Sequence, residues 1–224
     1  MSRPTALTLR FAQLFVGLFL YGASTALQVR AVVGVSSWTV LTEGLENVVP
    51  WSFGLITVAS SGVILLFWIP LRQKPGIGTL LNALAIGPSA DLVLWLVPTP
   101  DGLLARIGLF IAGLLLLALA TAFYIGAGFG TGARDGLMVG VHQRFGWPIW
   151  LARTVIEVTV VIVGWFLGGD VGAGTVIAAF VIGPMVQPLM PVFRRFPWSP
   201  ERAGHASTER EARLTPATEP TAVP

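Results

Sequence analysis

The sequence predicts an all-α polytopic membrane protein, with six transmembrane helices arranged as two inverted three-helix repeats that contain short connector helices. Three observations lead there. Hydrophobic residues make up 54% of the 224 positions and charged ones only 11%, whereas a soluble domain carries about a quarter charged residues. The apolar residues gather in six long blocks. The chain also repeats itself: GIGTLLNALAIGP at 76–88 returns as GAGTVIAAFVIGP at 172–184, 96 residues later.

The blocks lie near 10–30, 51–71, 76–97, 106–127, 149–168 and 172–193. Each is close to the roughly 20 residues a helix needs to cross a bilayer core. Backbone groups in lipid have no water to bond, so such blocks must be helices. The alternating strands of an outer-membrane barrel are absent. Arg3 and Arg10 ahead of the first block, with small residues at Ala23–Ala26, have the look of a secretory signal. The run is long for a signal, and the repeat needs it as a helix, so it is expected to stay as an uncleaved first span. The connectors at 35–49 and 131–146 are expected to be re-entrant or interfacial. Repeat one then covers 10–98 and repeat two 106–194, within a single membrane domain at 1–195. From 196 to 224 the chain is rich in Pro, Ala, Thr and charge, which predicts a disordered cytoplasmic tail.

An ungapped shift of 96 residues aligns Gly17 with Gly113, Gly34 with Gly130, Gly44 with Gly140 and Trp51 with Trp147. It also aligns Gly76, Gly78, Thr79, Gly87 and Pro88 with Gly172, Gly174, Thr175, Gly183 and Pro184. Matches at Gly, Trp and Pro in one fixed register point to a duplication. Three crossings per half make the second half enter from the opposite side, as in many transporters. Charge agrees. With the N-terminus inside, Arg3, Arg10, Arg72, Lys74, Arg134, Arg144, Arg194 and Arg195 are cytoplasmic. The outer face takes Arg30 and Arg106 against Glu43, Glu46, Asp101 and Asp170. This is a positive-inside bias, and both termini are expected in the cytoplasm.

Candidate site residues follow from cost. Ionisable groups inside a span face a cavity or a partner. Arg153 and Glu157 lie four apart on the fifth block and share one helix face. Asp91 follows Pro88 by three residues, Asn82 adds an amide, and Gln187 is the repeat partner of Asp91. Thr57 and Ser61 are the repeat partners of Arg153 and Glu157. Gly87-Pro88 and Gly183-Pro184 are expected to kink or break their helices, which marks either a midplane site or simple close packing. The Arg153–Glu157 pair is equally open to a structural reading as a buried ion pair. Arg134 and Asp135, in GAGFGTGARDGLMVGV at 126–141, are expected at the cytoplasmic mouth as site residues or topology anchors.

Several classes are excluded or disfavoured. Cysteine is absent and only His142 and His205 are present, so no metal centre and no cofactor is expected. The glycines at 126–136 lack the preceding strand and the Gly-Lys-Ser/Thr of a phosphate loop. No histidine lies within a span to activate a serine, so the chain is not expected to be an enzyme. The net charge of +3 is explained by topology, and no nucleic-acid partner is expected.

At GTGARDGLMVGV (130–141), WLARTVIE (150–157) and GWFLGGDVGAGTV (164–176), with GVSSWTVLTEGL (34–45) and PGIGTLLNALAIGP (75–88) in the first half, the chain resembles the YczE/YyaS/YitT group of bacterial membrane proteins, and most nearly its YczE-like branch. The resemblance covers about 10–195 and implies a protein of the cytoplasmic membrane. Where the group has Pro-Trp-Asp in the first connector, this chain has Ser37-Trp38-Thr39; Asp135 in the second connector is retained.

The expected function is a small secondary permease or exporter with a midplane site between the repeats, acting on a small-molecule or ion substrate. The alternative is a non-transporting accessory or regulatory membrane protein.

Overall fold

The computed structural model describes residues 3–194 together with Phe196 and Trp198. Among the described residues the chain forms eight helices and no strand. They are α1 (Arg3–Ala31), α2 (Ser37–Glu46), α3 (Phe53–Trp68), α4 (Ile77–Leu96), α5 (Leu103–Gly126), α6 (Ala133–Phe145), α7 (Ile149–Phe166) and α8 (Ala173–Arg194). The order long, short, medium, long occurs twice, and the two expected connectors hold α2 and α6.

Local chemistry sets the ends. Ser52 caps α3 by accepting from Leu55 N at 3.2 Å, satisfying one of the free amides of the first turn. Thr79 Oγ1 accepts from Gly76 N at 3.3 Å, and Thr175 Oγ1 accepts from Gly172 N at 3.3 Å. The repeated Gly-x-Gly-Thr therefore opens α4 and α8 in the same way. Gly146, at φ 72°, ends α6 in the left-handed region, which an L side chain resists.

The centre is an antiparallel pair, α1 and α5. Gly17 of α1 abuts Tyr124 near the end of α5, and Gly113 near the start of α5 abuts Ser24 and Gln28 of α1. These glycines let the two backbones close up, as small residues do between membrane helices. α4 packs on α1 and α8 on α5, while α2 packs on α7 and α3 on α6. The core clusters around Leu14, Leu18, Ile86, Tyr124 and Ala127, and around Ala23, Ala26, Phe53, Ala90 and Val93.

Long-range contacts recur with the halves exchanged. Gly78 N donates to Phe129 O at 3.0 Å, and Gly174 N donates to Val33 O at 3.0 Å. Val33 and Phe129 are 96 apart, as are Gly78 and Gly174. Each Gly-x-Gly-Thr thus docks against the connector of the other half.

Charged and amide groups collect at the two ends of the bundle. At one end Arg10 donates to the carbonyls of Ala127 and Gly128, and Gln73 bonds Gln143 at 2.9 Å. At the other Arg30 donates to Leu94 O, Arg106 to Pro100 O, and Asp170 N to Glu43 Oε2.

Three expectations change. First, four helices, α1, α4, α5 and α8, are long and apolar enough to cross a membrane by length and composition. α3 has 16 residues and α7 has 18, or about 24 and 27 Å at a helical rise of about 1.5 Å per residue. Second, Gly87-Pro88 and Gly183-Pro184 do not break their helices, because α4 and α8 run through them. Proline removes one donor, the one that would reach the Leu84 carbonyl, and membrane helices tolerate such a loss. Third, the chain does not leave the bundle at 196. Trp198 Nε1 donates to Gln13 Oε1 at 2.8 Å, and the Phe196 ring packs edge-on against Phe193 and Phe123. The rest of the expected tail, 199–224, lies outside the described residues.

Candidate polar cavity between the helices

The two short helices bring polar chemistry inside. After α5 the chain turns back through 127–132, so that α6 begins beside Asn82, in the second turn of α4, with Gly132 against the amide. α2 likewise begins inside, and the Arg134 guanidinium stacks 5.0 Å from the Trp38 ring. Trp38 and Arg134 are 96 residues apart. The starts of α2 and α6 therefore meet in the middle of the molecule. This corrects the expectation that Arg134 and Asp135 sit at a mouth: both line the interior.

A cavity of about 810 Å³ surrounds this meeting point. Its wall includes Tyr21 of α1, Ser36 and Ser37 at the start of α2, Thr57 and Ser61 of α3, Asn82 of α4 and Tyr124 of α5. It is completed by Arg134 and Asp135 of α6, Arg153 and Glu157 of α7, and Gln187 of α8. Two guanidinium and two carboxylate groups, formally balanced, share one space with two phenols and two side-chain amides.

The polar groups are held in place. Tyr124 Oη donates to Asp135 Oδ2 at 3.3 Å. Asp135 lies in the first turn of α6, where the helix dipole favours an anion, and within electrostatic reach of Arg153 and Arg134. Arg153 Nε donates to Glu157 Oε1 at 3.0 Å, with side-chain exposures of 44% and 19%. Arg153 is exposed and Glu157 half-buried, so of the two readings the pair is nearer a helix-surface pair, worth ~0.3–0.5 kcal/mol, than a fully buried one. Thr57 Oγ1 and Ser61 Oγ donate to the carbonyls of Phe53 and Thr57, each at 2.9 Å. Their oxygen lone pairs remain free to accept.

Of the sequence-nominated residues, Arg153, Glu157, Asn82, Gln187, Arg134, Asp135, Gly183 and Pro184 line this one cavity. Asp91 does not. Its carboxylate accepts from Ser52 Oγ at 2.6 Å and Gly54 N at 2.7 Å, capping the start of α3 from α4. Gly87 is outside too, packed on the backbone of Gly54. Sequence reasoning missed Tyr21, Tyr124 and Trp38. Tyr21 and Tyr124 lie within apolar blocks, where an aromatic residue carries no signal that separates a cavity wall from a core, and Trp38 lies in the first connector. The one available clue was the 96-residue offset, which pairs Trp38 with Arg134.

Among the described residues no grouping of three or more His, Asp or Glu able to hold a metal ion occurs.

A family model described as "Family of unknown function (DUF6198)" matches residues 8–191. An uncharacterized protein of Haemophilus influenzae is 35% identical over 187 residues, covering 84% of this chain and 86% of its own. The uncharacterized membrane protein YczE of Bacillus subtilis is 29% identical, with 83% and 87% covered. The uncharacterized protein YyaS of the same organism is 25% identical, with 85% and 96% covered. No solved structure matches.

Proposed function

The chain belongs to the DUF6198 family and is similar to the membrane protein YczE and to YyaS, and we propose that it is a small secondary permease or exporter of the bacterial cytoplasmic membrane. In this reading it has six spans in two inverted repeats and both termini in the cytoplasm. One observation carries it: charged and polar side chains from both halves converge on a single cavity between them. A membrane protein that needed only packing would gain from apolar residues there, because desolvated charges cost several kcal/mol each.

Two features support the inverted arrangement. Contacts recur with the halves exchanged, as a two-fold relation requires, and the equivalent helices α1 and α5 run antiparallel. An axis across the helices would lie in the membrane plane. A second, apolar cavity of about 590 Å³ straddles the same relation, lined by Leu41 with Leu137, Ala59 with Val155, and Ile64 with Val160.

The chemistry suits a small polar solute with balanced charge, a zwitterion above all. Arg134 and Arg153 would hold an anionic group, while Asp135 and Glu157 would hold a cationic group or exchange a proton. Asn82, Gln187 and the phenols would supply neutral hydrogen bonds. No nucleotide-binding loop is present, so energy would come from an ion gradient or a partner.

Purified protein in proteoliposomes, given radiolabelled amino acids and other small zwitterions under an imposed proton gradient, tests the reading. Accumulation is expected for the wild type. It should vanish for the Arg153→Met, Glu157→Leu double variant, which removes both charges and should fold. A double variant that accumulates solute as the wild type does would move the site elsewhere. No accumulation of any solute by the wild type would favour the accessory reading.

A further inference from the structure

The two halves differ in one contact. In the first, α3 and α4 pack closely, and a Cβ on Gly87 would collide with the Gly54 backbone. Asp91 completes that contact by capping α3 through Ser52 and Gly54 N. The repeat counterparts are Gly183 for Gly87, Trp150 for Gly54, Gln187 for Asp91 and Pro148 for Ser52.

In the second half this contact is not made. α7 and α8 lack packing comparable to that of α3 on α4. A Cβ on Gly183 would meet nothing within 4 Å. Trp150 is 69% exposed, and its indole, Gly183 and Gln187 all border the polar cavity. A bulky ring on one helix thus stands opposite an empty glycine seat on the next, with an amide one turn beyond the seat.

We propose that α7 and α8 form a gate on the polar cavity, which closes when the Trp150 indole seats against Gly183 and the Gln187 side-chain oxygen accepts from the Trp150 amide. The α3–α4 contact supplies the pattern for this closure, with the glycine pair Gly54 and Gly87 replaced by Trp150 and Gly183. It needs α7, together with α2 and α6 that pack on it, to move relative to α8 about the turn at 167–172, a hinge of the ordinary kind. Trp150 precedes Arg153 by one helical turn, so its movement covers the charged pair. The tryptophan in place of Gly54 has a consequence. It cannot allow the backbone approach that Gly54 allows, so the second closed contact is looser than the first and opens more readily. The gate rests on the permease reading for its purpose but not for its existence.

The chain contains no cysteine, so spin labels can be placed cleanly. Nitroxides at Val158→Cys and Phe180→Cys, both exposed at 51% and 76%, report the α7–α8 separation in lipid nanodiscs by pulsed electron resonance. The labelled parent should show both a longer and a shorter population. Adding Trp150→Gly with Gln187→Asp copies the first half and should leave only the shorter one, near the ~8–10 Å interaxial spacing of packed helices plus the label arms. Adding Gly183→Leu fills the seat and should leave only the longer one. Identical distributions in all three proteins would overturn the gate, even if uptake is observed. Distances that shift as described in a protein that transports no solute would uphold the gate and remove the permease reading alone.

Discussion

Replacing Asp91 separates a structural carboxylate from a site residue. Its two oxygens accept from Ser52 Oγ at 2.6 Å and Gly54 N at 2.7 Å. The Gly54 bond is partly buried and sits at the start of α3, so its loss with an amide left unpaired costs about 2 kcal/mol. The Ser52 bond is exposed, and water replaces most of it, for about 1 kcal/mol. Asp91→Ala should therefore destabilise by about 3 kcal/mol, a fall of about 6–12 °C in Tm at about 2–4 °C per kcal/mol for a chain of this size. Asp91→Asn keeps one acceptor but loses the charge at the helix start, worth about 1 kcal/mol, so about 2–4 °C. The assay is thermal unfolding in detergent, paired with solute uptake in proteoliposomes at a temperature where both variants are folded. Uptake should persist. An unchanged Tm for Asp91→Ala, with uptake abolished, would refute the capping argument and restore Asp91 to the site.

Other outcomes are equally specific. Burial of Glu43 in the connector helix α2, with the nearby charges of Asp170 and Glu46 and despite the bond from Asp170 N, raises its pKa from 4.5 to about 7. A carboxyl raised in the folded state binds its proton more tightly than in the unfolded chain, so stability should fall as pH rises from about 4.5 to about 7 and level off above. Glu43→Gln should flatten that slope in melts run across the window, and an unchanged slope would assign the titration to another group. For topology, cysteines at Gly102 and Val171 should react with an impermeant maleimide from outside intact cells and one at Lys74 should not. External labelling at Lys74 would end the six-span arrangement. Truncation after Trp198 should leave Tm unchanged, whereas truncation after Arg195 removes Phe196 and the Trp198–Gln13 bond and should lower it. Equal melts for the two truncations would show that this contact carries no stability.

The sequence alone determined that this is a helical membrane protein, because composition and block length are conditions set by lipid, and four of the six blocks meet them as helices by length and composition. It also determined the duplication, since Gly, Trp and Pro keep their register without reference to contacts. The ion pair of Arg153 and Glu157 followed from helical spacing, as did their shared face. Only the tertiary structure decided what those residues do together. Asp91 and Gln187 occupy equivalent positions, yet one caps a neighbouring helix and the other borders a cavity, because Gly54 permits a closer backbone approach than Trp150 does. Arg134 and Asp135 follow a run of glycines that could have continued outward; the docking of Phe129 on Gly78 turns that run back into the bundle. Tyr21 and Tyr124 sit in apolar surroundings in the sequence, and with Trp38 they stand beside charge in space. A one-dimensional pattern records which side chains lipid will accept at each position. Whether two helices that could touch do touch depends on side-chain volumes at positions far apart in the chain, and here that difference sets α7 and α8 apart from α3 and α4.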